Sequence, residues 1–322
     1  AAYKPKTGPL LDKLPDLPYV LALGAFGGDA DTMLGFQSLE RMLGSLIEDK
    51  ALLKRLADTG ETLNEQVEKV QLVLGGPPEG ENVGLFGAAM VMKVKDAAQT
   101  KSAIYDYLDV VKGMIVEMVD EEDKDEAKQL EFRRTPNVET VKGKAVDAIE
   151  IFHPEIDEAG DDEKRKLQKL LGEPTPRILM VSPDDNTLLA TIGGSTALLE
   201  TTMNTVAKGG NIPEDKGVQK AMNFMPEKPQ MVMVLSAANL LKLIQDGAAA
   251  MGEQAPPIMI QSKAPIAAAA AFKGSDIHGR MYLPNELVKE GLNAFMGMMM
   301  MGGMQGGGPP PPPPPSGGSE DF

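Results

Sequence analysis

The chain contains no cysteine, so disulfide bridges, thiolate nucleophiles and cysteine-held metals are excluded at once. Tryptophan is also missing, and only 5 tyrosines and 9 phenylalanines serve 322 residues. An interior with so few rings must be filled by Leu, Val, Ile, Ala and the 21 methionines, so a large aromatic-lined ligand pocket is not expected. Positive charge is short as well: 32 Lys and Arg stand against 47 Asp and Glu, a formal net charge of −15. That balance argues against binding to nucleic acid, which needs a basic face to displace counterions, and against adsorption to anionic membranes. Long hydrophobic runs are absent too. The longest uncharged tract, after Glu290, turns Gly- and Pro-rich too soon to form a spanning helix of about 20 apolar residues.

What is present points to a folded body with an unusual end. Hydrophobic residues make up 42 %, which excludes a wholly disordered chain, and the length allows two ordinary domains or one large one. Ala1-Ala2-Tyr3 begins without Met and resembles what a signal peptidase leaves behind, so export is expected; a trimmed chain would begin the same way.

Three stretches read as an apolar strand running into a helix through a short polar or Gly-containing junction. Tyr19 to Leu23 leads through Gly24, Gly27 and Gly28 to Asp29 and Asp31; a helix with Met33, Phe36, Met42, Leu43, Leu46 and Ile47 at helical spacing follows. Leu85 to Val94 ends at Asp96, before Ile104, Leu108, Val111, Ile115 and Met118 on one face. Met231 to Leu235 ends at Ser236, before Leu240, Leu241, Ile244 and Ala248. The first and third share an entry, Pro15-Asp16-Leu17-Pro18 and Pro226-Glu227-Lys228-Pro229, that forces the chain to extend. Each then continues into further strand and helix. In the later stretch these are Ile266–Lys273, Ile277–Leu283 and a helix opened by Pro284. The Ala267–Ala271 run favours helix by propensity, yet its bounding Pro265 and Gly274 and its place in the repeat assign it to a strand.

Between these copies, Arg177–Ser182 and Thr187–Ile192 flank Pro183-Asp184-Asp185-Asn186 as a hairpin, and Lys144–Phe152 pairs with Val138–Lys142. The expected class is α+β: mostly antiparallel sheets, helices packed on one side, and duplicated strand-helix-strand-strand-helix units. The expected division is an N-terminal extension over 1–14, a first unit over 15–125, a β-rich middle with helices over 126–210, a second copy over 211–300 and a Gly/Pro-rich tail over 301–322. In that tail Pro309–Pro315 forms a stiff polyproline rod of about 20 Å between flexible glycines.

Candidate chemical sites each meet a plainer reading. Gly193-Gly194-Ser195 between strand and helix looks like a nucleophile elbow, but only His153 and His278 exist as bases, and Ser195 serves equally as a helix cap. Gly24 to Gly28 fits neither nucleotide-binding spacing, and Asp29 and Asp31 would repel a phosphate. The acidic runs Asp120–Asp123 and Asp157–Glu163 lack the loop glycine and alternation of a calcium hand and read as solvated. The methionines at 296 and 298–301 could hold Cu(I) through thioethers, but no histidine or spaced motif accompanies them; a greasy helix end that packs on a partner fits better. No catalytic residue, cofactor or metal is therefore assigned.

The Pro-x-x-Pro entry, the "Leu-Leu-Ala-Thr" ending before a small-residue helix start (Leu188–Ser195) and the closing "Met-Tyr-Leu-Pro-Asn-Glu-Leu-Val" resemble exported proteins of planctomycete-type bacteria that carry a domain of unknown function. The resemblance covers the layout of roughly residues 15–300. It implies an exported α+β protein and transfers no catalytic residue.

The residues thus lead to a non-enzymatic exported structural protein that self-associates into a filament, tube or layer, outside the cell or at its surface. Its expected contacts are Phe295, Met296, Met299, Met300, Pro309, Pro312, Pro315 and Phe322, and its partner is itself. The alternative is a periplasmic or surface binding module for a small apolar ligand or peptide.

Overall fold

The computed structural model describes residues 6–27, 47, 49–76, 83–158, 160–253, 260–273 and 276–293. Along the chain come β1 (Tyr19–Phe26), α1 (Lys50–Gln66), β2 (Val67–Gly75), β3 (Gly87–Val94), α2 (Ala97–Met118) and α3 (Lys124–Ala127). Then follow β4 (Glu131–Val141), β5 (Lys144–Phe152), α4 (Pro154–Asp157), α5 (Asp161–Leu171), β6 (Arg177–Asp184), β7 (Thr187–Ile192) and α6 (Ser195–Lys208). A 3-10 turn (Ile212–Glu214), α7 (Lys216–Met222), β8 (Met231–Leu235), α8 (Ala237–Met251), β9 (Ile266–Lys273) and β10 (Asp276–Tyr282) complete the order, and residues 285–293 are helical. The protein is α+β, and the ten strands among the described residues form one antiparallel sheet in the order β10-β9-β8-β1-β2-β3-β7-β6-β5-β4.

The order exposes a repeat larger than the sequence suggests. The strand-helix-strand-strand-helix pattern occurs at β1-α1-β2-β3-α2 and at β8-α8-β9-β10 with the helix over 285–293, as expected. It occurs a third time in the middle, as β5-α5-β6-β7-α6, with β4 added outside. The three strands of each copy lie side by side. Copies join third strand to third (β3 with β7) and first to first (β1 with β8), so the units share one sheet rather than standing apart.

Alternation along the strands feeds two cores. Ala89, Val91, Leu189, Leu179, Val181, Val146 and Ala148 point to one face, where Leu199 and Met203 of α6 cover them. On the other face Met92, Leu188, Ala190, Met180 and Ile149 meet Ala97, Ile104 and Leu108 of α2. Helices expected on one side are thus distributed over both, because adjacent residues such as Leu188 and Leu189 are both apolar.

Part of the stretch expected as an N-terminal extension, from Leu10 onward, is core. Leu10, Leu11, Leu14 and Leu17 are buried with Ala22, Val73 and Val232. Two fully buried amides hold it down: Gln71 receives the Lys13 N–H (2.9 Å) and donates to Asp12 (2.8 Å), while Gln230 donates to the Lys6 carbonyl (2.7 Å). Gly24 permits this seat, since a Cβ there would lie 1.8 Å from the Leu10 carbonyl oxygen.

Helix starts follow the caps read from sequence. The Asp96 carboxylate accepts the N–H groups of Ala98 and Gln99, each at 2.9 Å, and Ser236 accepts that of Asn239 at 3.3 Å. At α6 the cap position is Gly194; Ser195 is the first helical residue, at φ +51°, and its hydroxyl accepts the Ala197 N–H at 3.4 Å. Asp29, Asp31 and the helix expected around Met33–Leu46 lie outside the described residues. Among the described residues no helix is long and apolar enough to cross a membrane.

Candidate functional site

The sheet order separates the residues of the weighed hydrolase. His278 lies on β10 and Ser195 just beyond β7, with five strands between. At the usual strand spacing this is roughly 29 Å, and the two cannot share a proton. Gly24 and Gly27 are no phosphate cradle either, because a Cβ on each would strike the Leu10 and Val67 carbonyl oxygens, at 1.8 and 2.2 Å.

One buried charged cluster does exist. Asp147 on β5 accepts from Lys101 Nζ at 2.6 Å, from the Asn137 N–H at 3.0 Å and from the Tyr105 hydroxyl at 3.4 Å. The bulge in β4 between Thr135 and Glu139, with Asn137 at φ +54°, frees that backbone N–H, and the carboxylate satisfies it. Burial pushes the Asp147 carboxyl up, but the hydrogen bonds from Lys101 and Asn137 outweigh it and leave the group below its usual value. Burial, followed by the Asp147 charge, holds the Tyr105 phenol above its usual value. A paired, ionised carboxylate that completes a bulge is structural chemistry.

The feature that asks for an occupant is the β10 edge. Among the described residues no strand pairs with its outer side. Six of its seven residues are exposed, with Ile277 at 68 % and Met281 at 71 %. Register places Gly279 beside Ala270 and Met281 beside Ala268, and those alanines beside Met231 and Met233, so the exposed side chains extend a half-buried apolar face. Leu283, Val288 and Leu292, in the chain that follows, are exposed too. The opposite edge is built differently. β4 carries Pro136 and the bulge, Arg134 is tied to Asp109 (2.8 Å), and Arg133 lies 3.2 Å over the Phe152 ring. Proline, bulge and charge are the usual devices that stop a strand from pairing.

The sequence-based contacts Phe295, Met296, Met299, Met300, Pro309, Pro312, Pro315 and Phe322 lie outside the described residues. The chain reaches them from the helix over 285–293, adjacent to β10. The sequence places a strand over Ile277–Leu283, and the structure has it at Asp276–Tyr282, but nothing in its alternation marks it as a contact surface. A strand's place at the rim is a property of sheet order, and only Pro136 in β4 signals an edge locally.

A concavity of about 480 Å³ opens between the N-terminal segment, α7 and β8. Leu10, Leu11, Val218, Met222 and Val232 line it, with Gln219 and Asn223 as its amides.

No family model matches the chain, and no curated protein matches it. Among solved structures, crystal form IV of TP0453 aligns at 8 % identity over 86 % of this chain and 80 % of that one, with a TM-score of 0.39. Crystal form III of TP0453 aligns at 8 % identity over 85 % and 79 %, with a TM-score of 0.36. Likeness at this level carries no argument about this chain.

Proposed function

We propose that this is an exported, non-enzymatic protein that works by self-association, and that β10 of one copy pairs with β10 of another. The observation that carries the reading is the contrast between the sheet's two edges: β4 is blunted, while β10 is open among the described residues, exposes Ile277 and Met281 on one face and is continuous with an exposed helix end. Antiparallel pairing about Gly279 would set Ile277 opposite Met281 of the second copy, giving two apolar cross-strand pairs on one face. Such a contact is two-fold and closes as a dimer. A filament, tube or layer would then need a second contact, and the Met-rich and proline-rich residues 296–315 are the candidate. The alternative, a binder of a small apolar ligand, draws on the cleft beside α7.

Light scattering on the full chain tests the reading. The wild-type protein should run at twice the chain mass or more. The double variant Ile277→Lys/Met281→Lys, which copies the charges natural edge strands use, should run at the mass of one chain with an unchanged circular dichroism spectrum. A wild-type protein that is monomeric up to high concentration contradicts it and favours the cleft.

A further inference from the structure

We propose that Glu126, His153 and Glu155 form a surface binding site for a divalent transition-metal ion, of which zinc is the natural probe. These residues come from three segments, α3, the junction after β5, and α4, and their ligand atoms all lie within 4.8 Å of one another. Imidazole combined with two carboxylates suits Zn²⁺ and its neighbours, whereas Ca²⁺ and Mg²⁺ prefer oxygen alone.

The hydrogen bonds of His153 determine which of its nitrogens is available. Nε2 lies 3.2 Å from the backbone carbonyl oxygen of Glu126, which can only accept, so Nε2 carries the proton. In the neutral ring Nδ1 is then the bare nitrogen, and it faces Glu155 Oε2 at 4.0 Å. A lone pair turned toward a carboxylate is relieved by a proton or a metal cation placed between them, and the carboxylates of Glu126 and Glu155 together supply the charge a divalent ion needs. A backbone carbonyl holding the far N–H is also the arrangement that orients metal-binding histidines and raises their basicity. The same carbonyl accepts the Gln129 N–H at 2.9 Å, which fixes it within the turn after α3.

Reach is adequate. Zinc bonds of about 2.1 Å at a tetrahedral angle hold two ligand atoms about 3.4 Å apart. The gap from Nδ1 to Oε2 therefore closes by less than 1 Å (about 0.6 Å by that geometry), a movement open to Glu155, whose side chain is 74 % exposed. The His153 side chain is only 16 % exposed and supplies the fixed point. Three protein ligands leave one tetrahedral position to water, as in open zinc sites. The neighbouring acids Asp120 to Asp123 and Glu158 raise the local concentration of cations. None of this involves β10.

Zinc titration of the full chain by calorimetry, beside the His153→Ala, Glu126→Gln and Glu155→Gln variants, tests the site. A chain with 47 acids has diffuse cation sites, so the readout is the difference between proteins. One saturable equivalent in the wild type, weakened more than about tenfold in each variant, supports the proposal; even outer partners of bound metals cost about that much. Cobalt substitution adds a check independent of variant folding, because its visible absorption reports a nitrogen ligand in the wild type alone. Zinc uptake unchanged by His153→Ala, uptake equally well displaced by Ca²⁺, or no saturable equivalent at all overturns it.

Discussion

At the scale of single residues, some of the polar groups buried in this protein complete backbone that geometry leaves unfinished. Asp147 is the clearest case, since removing its side chain leaves both the Lys101 ammonium and the Asn137 N–H without their carboxylate. Asp147→Ala should cost about 2–3 kcal/mol in urea denaturation. Its pH dependence has a definite sign. The folded pKa lies below the unfolded value of about 4, so the contribution is complete above that pH and is lost as acid protonates the folded group. Wild-type stability should therefore fall more steeply below pH 4 than that of Asp147→Asn. Gly24 acts through space rather than charge. With a Cβ 1.8 Å from the Leu10 carbonyl oxygen, Gly24→Ala must displace the N-terminal segment. It should lower stability by about 2–3 kcal/mol, with faster proteolysis ahead of Leu17 as the second measurable sign. Neither role could be read from the sequence. Gly24 looked like part of a strand-to-helix turn, and the partner that demands it comes from residues 6–18, whose four leucines stand at helical spacing in a stretch that Pro15 and Pro18 keep from being a helix.

At the scale of elements, local chemistry was legible wherever one segment decides the outcome. The β6–β7 hairpin forms where Pro183 to Asn186 place it, with the Asn186 N–H on Asp184 at 2.9 Å. Asp96 and Ser236 cap the helices assigned to them. The alanine run at 267–271 is a strand, as its flanks and its place in the repeat indicated against its propensity, because pairing with β8 and β10 outweighs a few tenths of a kcal/mol per residue. The third copy of the unit escaped notice for a physical reason. β4 adds a strand in front of it, and α4 breaks the connection that the other copies make with longer helices. Exposed apolar residues on β10 are likewise unreadable alone, since Ile277 and Met281 have the pattern of a half-buried strand and only the end of the sheet leaves them uncovered.

At the scale of the whole molecule, the sheet of ten described strands has two edges, and they are built unequally. Proline, a bulge and tethered arginines close one; the other ends in a strand paired without a register shift, which leads in sequence into a helix and a Met-rich segment. An open edge of this kind offers unpaired backbone groups to another strand, and under the proposed reading that strand is β10 of a second copy. The absence of cysteine makes this directly measurable, because a single introduced thiol has no background. Facing residues of an antiparallel pair lie about 4.5–5.5 Å apart at Cα, inside the range a disulfide spans. Under mild oxidation, Gly279→Cys should yield a disulfide-linked dimer much faster than Asp185→Cys in the exposed β6–β7 turn. Equal rates for the two, or no cross-link at position 279, would contradict the pairing of β10 with itself.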